Sequence, residues 1–256
     1  MLTTDYVPGA PNWLDLGSPD IDRTVAFYTG VFGWDFRSFG PEAGGYGFFQ
    51  QDGKTVAALG PLTDEGATSA WTVYFQTADA DATAKTAREA GGAVRLEPFD
   101  VFTNGRMAQL TDPGGAEFAV WQPGDTAGLD LVTEPGSLGW VELQSPDPAA
   151  AREFYHKVFG WTATPMPMSG GEYVVFTLAG GGEDTAFAGV AELQDGHTAH
   201  WLPYFEVTDT DAAVAGSGGL GGSVVMPAAD FEGVGRMAWL ADPFEARFAV
   251  ITSSSG

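Results

Sequence analysis

FYTGVFGW at residues 27–34 returns as FYHKVFGW at residues 154–161, an offset of 127. SPD at 18–20 returns at 145–147 with the same offset. Further along, WTVYFQTADAD at 71–81 answers to WLPYFEVTDTD at 201–211, and GRMAQLTDP at 105–113 to GRMAWLADP at 235–243, both offset by 130. FAV follows at 118–120 and at 248–250. An ordered series of matches with so small a drift marks a tandem duplication. Two copies make a paired-domain protein, since a solenoid needs about three repeats or more. The copies span residues 8–122 and 139–252. Residues 123–138 between them hold Pro123, Gly124, Gly128, Pro135 and Gly136, the composition of a linker.

Within a copy, residues 12–17 alternate Trp13 and Asp15 against Leu14 and Leu16, a strand period. Asp20 then opens a helix, whose Ile21, Val25, Tyr28 and Phe32 recur at helical spacing until Gly33 stops it. In copy two, Asp147 is the N-cap and Pro148 the first helical residue. Strands follow near 34–39, 46–51 and 54–60, divided by Gly-rich turns. The pattern restarts with a strand at 70–77, a helix from Asp79 to Ala90, and strands near 93–98, 105–111 and 117–121. Each copy therefore reads as two βαβββ modules, an α+β class.

Composition narrows the partners. The 256 residues carry 34 acidic against 11 basic side chains, a net charge of -23. Such a surface repels nucleic-acid phosphates and anionic membranes. No cysteine is present, which removes disulfides, thiolate ligands and Cys nucleophiles, and fits a cytoplasmic location. The expected partner is a small molecule, bound by a monomer with pseudo-dimeric domain pairing or by a homodimer.

The helix ending in FYxxVFGW, the late Asp-Pro hairpin and the module order together resemble the vicinal oxygen chelate superfamily. That superfamily includes glyoxalase I, extradiol dioxygenases, fosfomycin-resistance enzymes and bleomycin-binding proteins. The resemblance covers both copies and implies two tandem glyoxalase-like domains, each of paired βαβββ modules forming a curved sheet around a cavity. It also implies a metal held by His on the first strand, His on the fifth and Glu on the eighth. Those positions fall on Trp13, Thr72 and Ala119 in copy one, and on Trp140, Leu202 and Ala249 in copy two. None is a ligand, and copy one contains no histidine at all. The expectation is a pocket with no metal and no other cofactor. A relocated site at Glu142, His200 and Glu206 is the competing possibility.

If the first-strand position faces the cavity, strand alternation supplies the rest of its lining. Trp13, Asp15, Thr72, Tyr74, Gln76, Met107, Gln109 and Trp121 face inward in copy one. Trp140, Glu142, Leu202, Tyr204, Glu206, Met237 and Trp239 do so in copy two. Leu14, Leu16, Val73, Phe75, Phe118 and Phe248 fall on the opposite face, under the helices. A mostly aromatic wall with few polar groups suits a flat, hydrophobic ligand. Asp15 and Glu142 each stand two residues after a Trp and are the candidate general bases, with Tyr74 and Tyr204 as hydrogen-bond partners. The bland alternative pairs these acids with Arg106 or Arg236.

The expected function is a metal-independent isomerase, cyclase or lyase acting on an aromatic or polyketide-like molecule. The rivals are drug sequestration, as in bleomycin-binding proteins, and metal-dependent catalysis with relocated ligands. Other signals carry less. GSGGLG at 216–221 follows a helix rather than opening one, so it is not a dinucleotide site. Ser18 and Ser145 read as helix caps, and His156 as a surface residue.

Overall fold

The computed structural model describes residues 2–62, 66–168, 171–194 and 196–254. Copy one runs β1 (Pro11–Ser18), α1 (Ile21–Phe32), β2 (Asp35–Ser38), β3 (Gly47–Gln51), β4 (Lys54–Pro61), β5 (Ala70–Gln76), α2 (Ala80–Glu89), β6 (Ala93–Val101), β7 (Gly105–Thr111) and β8 (Glu117–Pro123). Copy two repeats that order: β9 (Leu138–Ser145), α3 (Pro148–Phe159), β10 (Thr162–Met168), β11 (Gly171–Thr177), β12 (Ala186–Glu192), β13 (His200–Glu206), α4 (Thr210–Gly219), β14 (Ser223–Phe231), β15 (Gly235–Ala241) and β16 (Arg247–Ser253). The strands form two eight-stranded sheets, ordered β2-β3-β4-β1-β5-β8-β7-β6 and β10-β11-β12-β9-β13-β16-β15-β14. This is the α+β, twice-repeated module architecture that the duplication foretells. No described helix is long and apolar enough to cross a membrane.

Local chemistry sets the helix ends. Asp20, Asp79, Asp147 and Asp209 each accept a hydrogen bond from the backbone N–H three residues on, at 2.9–3.0 Å. Each thereby satisfies a donor that the first helical turn leaves open. Ser18 and Ser145 are therefore not the caps. They sit two residues earlier and accept from the backbone N–H of Asp20 and Asp147. Gly33 and Gly160 close α1 and α3 at φ 74° and 72°, a left-handed geometry that glycine adopts without a Cβ clash. Strand β6 runs three residues beyond the expected 93–98, through Pro98, with register shifts around Leu96. Its place at the sheet's edge tolerates the missing N–H.

Contacts divide the chain into two compact units that do not coincide with the copies. One unit gathers the N-terminal residues through Trp13, Thr72–Gly128 and Trp140–Leu202. Its core joins Phe75 and Phe118 to Phe159 and Trp161, all within 4.9–6.2 Å centroid to centroid where they pair. Tyr155 lies fully buried in this cluster, stacked 5.0 Å from Trp161. Its hydroxyl accepts from Trp201 Nε1 at 2.9 Å and donates to Asp112 at 3.2 Å. The other unit gathers Leu14–Trp71, Leu129–Gly139 and Pro203–Gly256. There Tyr28 accepts from Trp71 Nε1 at 3.0 Å and donates to Asp242 at 3.4 Å, with Phe248 packed against it. The repeated FYxxVFGW motif is thus a structural one. Its Tyr meets an Asp of the Asp-Pro turn, and its Trp N–H reaches a backbone carbonyl, Gly136 for Trp34 and Gly9 for Trp161. Leu14, Leu16, Val73, Phe75, Phe118 and Phe248 are all fully buried, as alternation requires.

Candidate functional site

Glu142 lies on β9, where parallel pairing sets it opposite Gly189 of β12. Gly189 in turn pairs with Val175 of β11. Partners in register share a face, and so do residues two apart. Trp140, Glu142, Gln144, Gly189, Val175 and Tyr173 therefore line one surface of these three strands. The side chains close into a network. Tyr173 donates its hydroxyl proton to Glu142 Oε2 at 2.7 Å, and Gln144 Nε2 donates to Oε1 at 2.6 Å. Trp140 Nε1 donates to the Tyr173 oxygen at 3.2 Å. Glu142 is 6% exposed and Gln144 2%. Burial, and then the neighbouring Glu142 carboxylate, hold the Tyr173 phenol well above its usual range, so it stays a proton donor at neutral pH.

Copy one repeats the acid–tyrosine contact at a longer distance. Asp15 pairs with Ala58 of β4, which pairs with Phe48 of β3. Tyr46 donates to Asp15 Oδ2 at 3.2 Å. Phe39, Tyr46 and Phe48 form a ring cluster beside it, with Phe39 and Phe48 meeting edge-on at 4.8 Å.

The remaining expected lining falls on two further strand surfaces. On β5, β8, β7 and β6, register places Tyr74 opposite Ala119, Gln76 opposite Trp121, Met107 opposite Trp121 and Gln109 opposite Ala119. Thr72 precedes Tyr74 on the same face of β5, and Trp13 on β1 is nearly buried. Leu96 and Phe99 of β6 pair with Gln109 and Met107, so they belong to this face, with exposures of 41% and 40%. The Trp121 indole N–H is committed to the Thr126 carbonyl at 2.9 Å. On β13, β16 and β15, Tyr204 and Trp239 both face Ala249, and Trp239 Nε1 donates to the Tyr204 hydroxyl at 2.8 Å. Leu202, Glu206 and Met237 share that surface, and Glu206 accepts from Ser253 at 2.5 Å.

Two sequence expectations need correction. Arg106 is held by Asp81 and Asp100, and Arg236 by Asp211 and Asp230, so neither is the partner of Asp15 or Glu142. Each guanidinium braces a hairpin to its own helix instead. Nor do Glu142, His200 and Glu206 assemble a relocated metal site, for no group of three or more His, Asp or Glu among the described residues is placed to hold an ion. His200 turns Nδ1 to the Thr198 carbonyl at 2.8 Å. The ligand positions implied by the resemblance do not fit a metal either. Indole carries an N–H and no lone pair for a metal, Ala and Leu carry no ligating atom, and Thr72 adds a single neutral hydroxyl, too few ligands to hold an ion. Tyr46, Tyr173 and Gln144 were missed, although Tyr46 and Tyr173 stand 127 residues apart, the same offset as Asp15 and Glu142.

Residues 10–120 match the model of the glyoxalase/bleomycin resistance protein/dioxygenase superfamily, and residues 140–251 match that of a glyoxalase-like domain. The chain belongs to the glyoxalase/bleomycin resistance protein/dioxygenase superfamily. Among relatives of this superfamily member, the anthracycline biosynthesis protein DnrV of Streptomyces peucetius is 43% identical, over 99% of this chain and 96% of its own length. The putative glyoxylase CFP32 of Mycobacterium bovis is 36% identical over 97% of this chain and 96% of its own. Among solved structures, the 2,3-dioxygenase LapB from Pseudomonas sp. KL28 superposes with a TM-score of 0.65 at 12% identity, covering 97% of this chain and 94% of that one. The Mn(II)-bound glyoxalase from Novosphingobium aromaticivorans gives 0.64 at 14% identity, covering 96% and 83%. At such identities the structures speak for the fold alone.

Proposed function

We propose that this superfamily member is a metal-independent enzyme that moves a proton on a flat, polycyclic aromatic or polyketide-like ketone. The observation that carries the reading is the Glu142 network, a buried carboxylate gripped by two neutral donors beside an indole. A carboxylate so placed takes a proton from carbon next to a carbonyl. The C–H electron pair moves into the new C=C bond, and the carbonyl π pair moves onto oxygen as an enolate. Once Glu142 carries the abstracted proton, its carboxyl O–H can donate to the Tyr173 oxygen, and the phenol's single proton is released from Glu142 to point at the enolate oxygen. Return of the proton to a different atom completes an isomerisation. Asp15 with Tyr46, together with Tyr74 and Tyr204, would serve binding or a second site. Trp13, Trp140, Met107, Trp121, Met237 and Trp239 supply apolar contact area.

Anthracycline biosynthesis, the role named for a relative 43% identical, supports the aromatic substrate class. Neither copy offers His or a carboxylate at the superfamily's ligand positions, where the Thr72 hydroxyl is the one side-chain oxygen, and this supports metal independence. Exchange of α-protons of 1-tetralone for solvent deuterium, followed by proton NMR, tests the reading. The chain should accelerate exchange undiminished by a chelator, and Glu142→Gln should cut the rate by about a hundredfold or more. Retained ligand binding with no exchange in the wild-type chain favours the sequestration reading instead, which the exposed Leu96 and Phe99 would serve.

A further inference from the structure

The two copies differ where the acid is held. In copy two a glycine, Gly189, stands opposite the acid in register, whereas copy one has Ala58 there. A Cβ on Gly189 would come within 1.8 Å of the Tyr173 hydroxyl, so the phenol lies directly over that glycine. This seat brings Tyr173 to 2.7 Å from its carboxylate, against 3.2 Å for Tyr46 in copy one. Two residues beyond the acid, copy two has Gln144 and copy one, at the same offset of 127, has Gly17. Gln144 is almost fully enclosed, and its amide points at Glu142 Oε1. Beyond the tyrosine, Phe48 and Phe39 of copy one become Val175 and Met166 at the same offset, so the rings beside Asp15 have no counterpart beside Glu142.

We propose that copy two holds the reactive carboxylate and that Gln144 is its positioning residue, with copy one kept for ligand contact. The proposal rests on the reading of Glu142 as a base. Gln144 restrains one carboxylate oxygen, leaving the Tyr173-bound oxygen fixed in orientation, and favours the ionised form by a charge-assisted hydrogen bond. Gly17 has no side chain with which to do the same for Asp15.

Carboxyl-carbon NMR of the full chain, labelled with 13C-glutamate, tests this without a substrate. The Glu142 resonance is identified by its loss in Glu142→Gln. Replacing Gln144 by Leu and, separately, by the unbranched Met should raise the Glu142 midpoint by about one pH unit, a tenfold gain in proton affinity. Melting curves confirm that each variant is folded. A midpoint unmoved in both variants overturns the role of Gln144. In the tetralone assay, Gln144→Leu should lower kcat about tenfold and leave KM nearly unchanged. Exchange at full rate in that variant would overturn the positioning role, and exchange lost in Asp15→Asn but kept in Glu142→Gln would place the chemistry in copy one and overturn the assignment. Absence of exchange in the wild-type chain is instead a failure of the functional reading, and the midpoint still decides on Gln144.

Discussion

Tyr155 shows how much one hydroxyl holds together. Its oxygen accepts from Trp201 and its proton goes to Asp112, all three enclosed in one core. Tyr155→Phe preserves the ring stacking on Trp161 but leaves an indole N–H and a carboxylate oxygen short of a partner. Each orphaned buried group costs about 1–3 kcal/mol, so a loss of roughly 2–4 kcal/mol is expected in urea unfolding. Asp112 itself has a pH signature. Burial raises its carboxyl above the usual range, against the pull of the Ala116 N–H and the Tyr155 hydroxyl. A carboxyl whose native pKa exceeds its unfolded one binds its proton more tightly when folded. Its contribution is greatest below the unfolded value of about 4, and is lost as pH rises through the raised native value. Asp112→Asn should flatten that decline. Melting temperatures taken from pH 3.5 to 6 would fall less steeply in the variant than in the wild type, and parallel curves would show that the shift is absent.

At the scale of elements, alternation and capping were legible and register was not. The period of two in Trp13-Leu14-Asp15-Leu16 and in Val73-Tyr74-Phe75 sorted core from lining, because a strand has no other way to hide one face. Asp20, Asp79 and Asp147 announced three of the helices for an equally local reason. The phenol that meets Glu142 was not legible by alternation alone, since it depends on how β11, β12 and β9 slide past one another. The repeat offset singles out Tyr173, but not the empty space over Gly189 that lets it reach. That space yields a prediction for the three-strand unit. Gly189→Ala would put a Cβ 1.8 Å from the Tyr173 oxygen and 2.2 Å from Cζ, so the ring must swing off Glu142. Overpacking of this kind costs about 1–3 kcal/mol. Proton exchange should fall to the rate of Tyr173→Phe. Equal exchange in Gly189→Ala and wild type would mean that the phenol is not needed where it lies.

For the whole molecule, the duplication could be read directly, yet the partnership between its parts could not. The same motifs occur in both copies, so a Tyr of FYxxVFGW has two chemically equivalent Asp-Pro turns to choose from. The structure pairs Tyr155 with Asp112 and Tyr28 with Asp242, in each case a tyrosine of one copy with a turn of the other. Each compact unit consequently contains sequence from both copies. A chain cut after residue 128 would then retain Phe75, Phe118 and Asp112 while losing Phe154, Tyr155, Phe159 and Trp161, which cover them. Burial of one large aromatic side chain is worth about 1.5–3 kcal/mol, so several uncovered rings exceed the margin of a small domain. The fragment has one remedy within its own sequence. Its Tyr28 carries the same FYxxVFGW surroundings as Tyr155, so two fragments can exchange them reciprocally across a two-fold axis, each Tyr28 meeting the other's Asp112. Analytical ultracentrifugation with circular dichroism should therefore find the excised copy either as a folded homodimer or as an unfolded monomer. Asp112→Leu should weaken the dimer, because it removes the acceptor that the exchanged tyrosine needs. A folded, stable monomer of the single copy would overturn the argument, since it would require Tyr28 to close on the Asp-Pro turn of its own copy.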